Sequence, residues 1–327
     1  MIDIDGSEGE GGGQILRSSL ALSLVTRRAV RICRIRENRP EPGLRAQHLA
    51  AVRAAAKVGS AKIEGVAIGS RRLVFEPARS SPGDYRFEIG TAGAASLVLQ
   101  TVFVPLSFAG AASTVAIEGG THVPWSPSFD YLREAWLPSM REIGFDADAD
   151  LALAGFYPKG GGRLDARVRP AGSVRPLTRL DRGSLVRIRG SSAVANLDDS
   201  IAERQRRAAV DHLGRRCADL QVRVERLPSR AQGTSLVLVA EFERARLVST
   251  ALGRLGKRAE EVGREAAVEL GRMLDSEGAV DPHLADQLVL PLAFGEGRSE
   301  FRVCESTQHL RTNLEVVRKF LPEVRAE

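Results

Sequence analysis

Leu16, Leu20 and Leu24 recur at i, i+4 and i+8, with Ile15 and Leu22 beside them. That spacing keeps an apolar stripe on one face of a 3.6-residue helix, so it predicts a helix from about Gln14. Before it, "MIDID" reads as a short strand; after it, "AVRICRIR" alternates as a strand does. "GLRAQHLAAVRAAAKVG" predicts a second helix, stopped at Gly59. "AKIEGVAIGSRRLVFEPA" reads as a pair of strands. The same order then returns: a strand in "GDYRFEIG", a helix in "TAGAASLVLQTVFV", a strand in "STVAIEGG", and a helix in "DYLREAWLPSMREIG". A strand pair closes it in "DADLALAGFYPKGGGRLDARVRP". Both passes give strand–helix–strand–helix–strand–strand. A period of roughly 85 residues is too long for a solenoid repeat and predicts duplicated α/β modules.

The third pass is interrupted. A strand in "SLVRIRGSSAVAN" leads to a highly charged helix, "DDSIAERQRRAAVDHLGRRC". "LQVRVERLP", "TSLVLVAEFERARLVSTALG" and the amphipathic "RAEEVGREAAVELGRMLDSEG" follow. Only after Gly278 does the earlier grammar return, as a helix in "HLADQLVLPLAFG", a strand in "EFRVCES" and a last helix carrying His309. A small α/β domain over 184–278, inserted into a module, explains this order. The main domain is then 1–183 with 279–327.

Composition changes the picture only slightly. The 327 residues are 43% hydrophobic and 27% charged, which suits a water-exposed globular chain with a sizeable core. The net charge of +6 favours an anionic partner such as a nucleic acid or nucleotide. Cys33, Cys217 and Cys304 are few and far apart, which speaks against a disulfide framework or a zinc site and fits a reducing cytoplasm. The start, Met1-Ile2-Asp3, lacks the basic lead of a signal peptide. The most apolar stretch, "SLVLQTVFVPLSFAGAA", is broken by Gln100, Pro105 and Ser107 and reads as a buried helix, not a membrane span.

Several segments could carry chemistry. In "GSEGEGGGQILR" the glycines allow backbone N–H groups at a helix start to approach an anion, with Arg17 one turn in. No Gly-Lys-Ser/Thr follows, so it is not a P-loop; a tight turn reads equally well. "RIRENRPEPGLRAQH" holds Arg34, Arg36, Arg39 and Arg45 on a proline-stiffened loop, then Gln47 and His48. Such a loop suits phosphate oxygens, or is a solvated basic surface. "GFYPKGGGRL" marks a close approach to a ligand or a tight corner, the corner being the simpler reading. Asp286 and Gln287 either position a nucleotide or cap their helix. In "STQHLRTNLEVVRKF", Ser306 or Thr307 is the N-cap and Leu310, Leu314 and Val317 form the buried face. His309 then stands beside that face in the first turn, where the helix dipole favours an uncharged imidazole, a usable nucleophile. A capping or packing histidine is the plainer alternative.

Taken in order, "DGSEGEGGGQILRSSLALS", "RPEPGLRAQHL", "GSRRLVFEP", "GDYRFEIGTAGAASLVLQT", "GGTHVPWSPSFDYL", "GFYPKGGG", "HLADQLVLPLAF" and "TQHLRTN" resemble the RNA 3′-terminal phosphate cyclase family over essentially the whole chain. Two departures stand out: Ala154 where the family usually has a basic residue, and His283 where it often has an aromatic. The resemblance implies an α/β (α+β) fold of repeated βαβαββ modules, similar to the C-terminal domain of translation initiation factor 3, with a smaller inserted α/β domain. It implies a reaction in which ATP adenylylates a histidine, the AMP passes to an RNA 3′-phosphate, and the 2′-OH closes a 2′,3′-cyclic phosphate. ATP, Mg²⁺ or another divalent cation, and RNA with a 3′-phosphate end are the implied partners. His309 matches the nucleophile. Gln100 and the segment His283, Leu284, Ala285, Asp286 and Gln287 match ATP-binding positions. Glu10, Arg17, Arg36, Arg39 and Gln47 match polar groups around the ATP phosphates, with Glu10 also a metal contact, and Pro127 matches part of the adenine wall. A non-catalytic relative acting in ribosome assembly, an enolpyruvyl transferase on similar modules and a general nucleic-acid-binding protein are the rival readings. The oligomeric state is left open.

Overall fold

The structure, a computed structural model, describes residues 1–325. The first module runs β1 (Ile2–Asp5), α1 (Gly13–Thr26), β2 (Val30–Cys33), α2 (Ala46–Gly59), β3 (Lys62–Glu64) and β4 (Leu73–Glu76). Its sheet has the order β1-β2-β4-β3, with β1 and β2 parallel and the other pairs antiparallel. The second module repeats this with β5 (Asp84–Glu88), α3 (Ala95–Ser107) and β6 (Ser113–Gly119), then α4 (Phe129–Tyr131), which continues through a π-helical turn at Leu132–Trp136 into α5 (Leu137–Glu142). β7 (Asp146–Leu153) and β8 (Gly162–Arg169) complete it in the order β5-β6-β8-β7. Identical strand order and direction in two sheets bear out the duplicated pattern.

The third unit is shorter than its predecessors. β9 (Thr178–Arg179) pairs in parallel with β14 (Glu300–Phe301), and α8 (Pro282–Leu292) and α9 (Gln308–Phe320) accompany them. The closing strand pair is missing among the described residues, and "EFRVCES" gives only a two-residue strand plus a bridge between Val280 and Val303. Between β9 and α8 lie β10 (Leu185–Ala195), α6 (Asp199–Leu213), β11 (Leu220–Arg226), β12 (Gly233–Phe242), β13 (Arg246–Leu252) and α7 (Ala259–Asp275). They form a mixed sheet in the order β11-β10-β12-β13, with an apolar cluster of its own that includes Ile188, Leu238 and Leu270.

The helices of the modules pack on one another beneath their sheets: α1 touches α2, α3 and α9, and α9 touches α8. This explains why α1 and α3 carry apolar or small residues nearly all round. Leu16, Leu20, Val98, Phe103, Leu284 and Val317 belong to this one core. No helix of the described residues is long and apolar enough to cross a membrane. The glycine corner at Gly155–Gly162 is structural. Its arms are so close that a Cβ on Gly155 would meet the backbone nitrogen of Gly162 at 2.5 Å.

Candidate active site

α1 begins at a bare end. Gly12 is its N-cap and offers no side chain, so the first N–H groups of the helix have no side-chain partner. The preceding loop turns at Gly9 and Gly11, both at φ 57°, a left-handed conformation that glycine adopts without steric cost. Crowding argues the same point: a Cβ on Gly13 would lie 2.6 Å from His48 Nε2 and 2.7 Å from an Arg17 guanidinium nitrogen.

The loop is held against α9. Glu10 N–H donates to Thr312 Oγ1 at 3.3 Å, and Lys319 Nζ contacts Glu8 Oε2 at 2.6 Å. α9 itself starts at Thr307, whose side chain accepts from Leu310 N–H at 3.1 Å. Its buried side is Thr312, Asn313, Val316, Val317 and Phe320, rotated from the predicted stripe, because Leu310 and Leu314 are only half-buried. Asn313 is the lock: it accepts from Ser18 Oγ at 2.6 Å and donates to the Asp286 carbonyl at 2.6 Å. α1, α8 and α9 are thereby fixed in one register, and His309 faces the glycine loop.

His309 Nε2 stands 3.1 Å from Glu10 Oε2. The imidazole is 52% exposed while the Glu10 side chain is only 11% exposed, so a reachable ring rests on a shielded carboxylate. Arg39 reaches the same carboxylate at 3.1 Å and also donates to the Glu10 carbonyl. Arg17, beneath them, faces both Glu10 and Asp286; burial holds it down to about 10, so it stays charged at neutral pH. His48, which the sequence offered only as the end of the arginine loop, stands beside this group. Its Nδ1 accepts from Arg45 N–H at 3.1 Å, which leaves the proton on Nε2, facing the start of α1. Burial, then Arg17, Arg36 and Arg45, push its pKa down to about 3, so it is a neutral donor throughout the working range. Its sequence signal was slight: a histidine one residue past Gln47, at a helix start behind arginines.

A second group surrounds a cavity of about 70 Å³ bordered by α1, α3 and α8. Gln100 Nε2 donates to Gln287 Oε1 at 2.6 Å across it, and Gln287 Nε2 donates to the His283 carbonyl. In this form the cavity is far smaller than a nucleotide site of roughly 300 Å³ or more, so those amides must part to admit one. Asp286 is buried here and raised to about 7, chiefly by desolvation. It does not cap α8. That part is taken by Asp281, which accepts from His283 N–H at 3.0 Å and Leu284 N–H at 2.9 Å, and from the Tyr131 hydroxyl at 2.6 Å. Leu284 and Ala285 are core residues, 1% and 0% exposed. His283 points outward to Glu269 of α7 at 3.2 Å, a hydrogen bond that raises it to about 9.

The remaining predicted positions fall around these two groups. Gln47 Oε1 accepts from Ala94 N–H at 3.2 Å, tying α2 to the entry of α3. The Pro127 carbonyl accepts from Ser96 Oγ at 2.7 Å. Arg36 turns back on its own loop, donating to the carbonyls of Glu41 and Gly43. No cluster of three or more acidic, histidine or cysteine side chains that could hold a metal occurs among the described residues. Of the two acids in the glycine loop, Glu8 is exposed and paired with Lys319, while Glu10 is the shielded one that meets His309.

Repeated α/β modules with a reachable histidine, a shielded acid and arginines at an uncapped helix start define a protein that handles phosphate-bearing ligands. The chain belongs to the RNA 3′-terminal phosphate cyclase family, whose model matches residues 8–325. Proteins named RNA 3′-terminal phosphate cyclase are 44% identical in Archaeoglobus fulgidus, over 99% of this chain and 97% of that one, and 43% identical in Staphylothermus marinus, over 98% and 92%. One from Koribacter versatilis is 42% identical over 98% and 90%. Among solved structures, the enolpyruvyl transferase NikO from Streptomyces tendae aligns with a TM-score of 0.31 at 15% identity, over 53% of this chain and 33% of that chain, too weak a likeness to carry an argument.

Proposed function

We propose that the chain converts an RNA 3′-phosphate to a 2′,3′-cyclic phosphate at the expense of ATP, through AMP bound covalently to His309. The observation that carries this is the contact of an exposed imidazole with a shielded carboxylate, beside Arg39 and Arg17, at the uncapped start of α1. A nitrogen of His309 attacks the α-phosphorus of ATP; the N–P bond forms, the bond to the bridging oxygen breaks, and pyrophosphate leaves. An oxygen of the RNA 3′-phosphate then attacks the same phosphorus and breaks the N–P bond, freeing His309. Finally the neighbouring 2′-OH attacks the 3′-phosphorus, loses its proton and expels AMP.

Glu10 orients the ring and is placed to take up its proton as the nitrogen becomes committed to phosphorus. Arg17 and Arg39 neutralise the polyphosphate, and the first N–H groups of α1 add donors that need no reorganisation. Gln100, Asp286 and Gln287 line the nucleoside end, with Pro127 a wall of it. Glu10 is the protein carboxylate that would hold a divalent cation, which would supply further charge neutralisation when bound. The three free cysteines agree with a reducing cytoplasm. We also propose that 184–278 is a domain in its own right, supported by its separate apolar cluster.

The test is incubation with ATP labelled at the α-phosphate and Mg²⁺, for the wild type and His309→Ala. Label that is acid-labile and lost in the variant is the expected result. Equal labelling of both, or acid-stable label, overturns the assignment.

A further inference from the structure

We propose that Trp125 and Tyr157 form a stacking platform for the nucleobases next to the RNA 3′ end, with Lys159 and Arg230 meeting its backbone phosphates. The inference deepens the cyclase reading and rests on it for the identity of the ligand.

Trp125 is 97% exposed, in contrast to Trp136, which is 3% exposed and packed edge-on against Phe103. An indole given wholly to solvent forgoes the burial that tryptophan usually obtains. Its backbone is also at φ 59°, a left-handed conformation that is strained for a bulky residue. The strained turn is rigidly supported. Val123 is buried against Ala94 and Leu97, Ser126 Oγ donates to the Val123 carbonyl at 3.0 Å, and the Pro127 carbonyl is tied to Ser96. Nothing within the described residues repays the exposure or the strain, so a ligand stacked on the ring is the physical use for both.

The neighbouring loop carries a second exposed aromatic, Tyr157, at 66%. The two loops are joined directly: Thr121 and His122 N–H both donate to the Gly155 carbonyl, and the His122 ring stacks on Phe156 at 5.0 Å. Buried His122 is anchored in turn by Asp130 at 3.1 Å. Lys159 follows Tyr157, and Arg230 follows Ser229, whose hydroxyl donates to the Ala154 carbonyl at 2.8 Å. Both cations are exposed and make no ion pair among the described residues. Aromatic faces interleaved with uncommitted cations are how single-stranded nucleic acid is held without dependence on sequence. The platform is continuous with the candidate site through Pro127, two residues from Trp125, and through Ala94, which binds Gln47.

Trp136 lines the cavity between α1, α3 and α8, so the emission read is the part that Trp125→Phe removes, which belongs to Trp125 and reports the platform. Full-length protein is titrated with a short oligoribonucleotide ending in 3′-phosphate, with the same oligonucleotide made abasic at its last two positions, and with ATP alone. Quenching by the first and not by the other two is expected. Trp125→Ala should raise KM for the RNA on the order of 10-fold with little change in kcat, and Trp125→Phe should restore most of it. AMP labelling of His309 in the absence of RNA should match the wild type. Unquenched emission, quenching by ATP alone, or an unchanged KM in Trp125→Ala overturns the platform. A failure of the cyclase reading looks different: the wild type then takes no label from ATP and cyclises no RNA, while the titration still reports on the platform.

Discussion

At the scale of single residues, the site turns on Glu10. Its carboxylate is shared by His309 and Arg39, both at 3.1 Å, and most of it is closed to solvent. Removing it frees the imidazole to rotate and leaves Arg39 without its counter-charge. Glu10→Ala should therefore slow formation of the His309 adduct by about 100-fold, the usual consequence of a misplaced reacting group. Single-turnover labelling measures this; a variant within twofold of the wild type would show that Glu10 does not orient the ring. His309 was visible in the sequence as a first-turn histidine, with Ser306 or Thr307 as the cap, and the structure uses Thr307. Glu10 was visible only through the family resemblance, because nothing in "GSEGEGGG" says which acid meets a helix 300 residues away.

At the scale of elements, three helices depend on one side chain. Asn313 joins α9 to Ser18 of α1 and to the backbone of α8 at Asp286, both bonds buried. Asn313→Ala leaves a buried hydroxyl and a carbonyl unpaired, a loss of about 1–3 kcal/mol. Urea unfolding should show that loss, and AMP labelling should fall beyond it because α9 carries His309; unchanged stability would mean that solvent takes over both bonds. The hydrophobic pattern of α9 suggested a stripe at Leu310, Leu314 and Val317. The observed side is turned toward Thr312 and Asn313, since the polar lock with α1 and α8 sets the rotation and periodicity cannot count a buried asparagine as core.

For the whole molecule, the contact of His283 with Glu269 links α8 to α7. The carboxylate holds His283 up to about 9, above its ordinary value near 6.5. The folded state thus binds the proton more tightly than the unfolded one. The stabilisation is complete below about pH 6.5 and fades as pH rises through 9. With the imidazole 64% exposed, solvent screening keeps the gain within about 1 kcal/mol. Glu269→Gln should flatten that part of the Tm–pH curve; parallel curves for wild type and variant would exclude the linkage. Repeats of roughly 85 residues announced both complete modules, each strand and helix of which has the expected order. The shortened third unit was not announced, because two-residue strands carry no alternation to read.

Local patterning sufficed for most of the elements and their order, since propensity and periodicity act over a few turns of chain. It also exposed the glycine turns and arginine loop that carry the family resemblance. What only the tertiary structure decided is which distant groups meet. Glu10 lies against His309, Asn313 binds Ser18, His48 is sealed beside Arg17, and Trp125 is left to solvent. Those outcomes depend on how three units pack their helices together, a property of long-range contacts that no single segment contains.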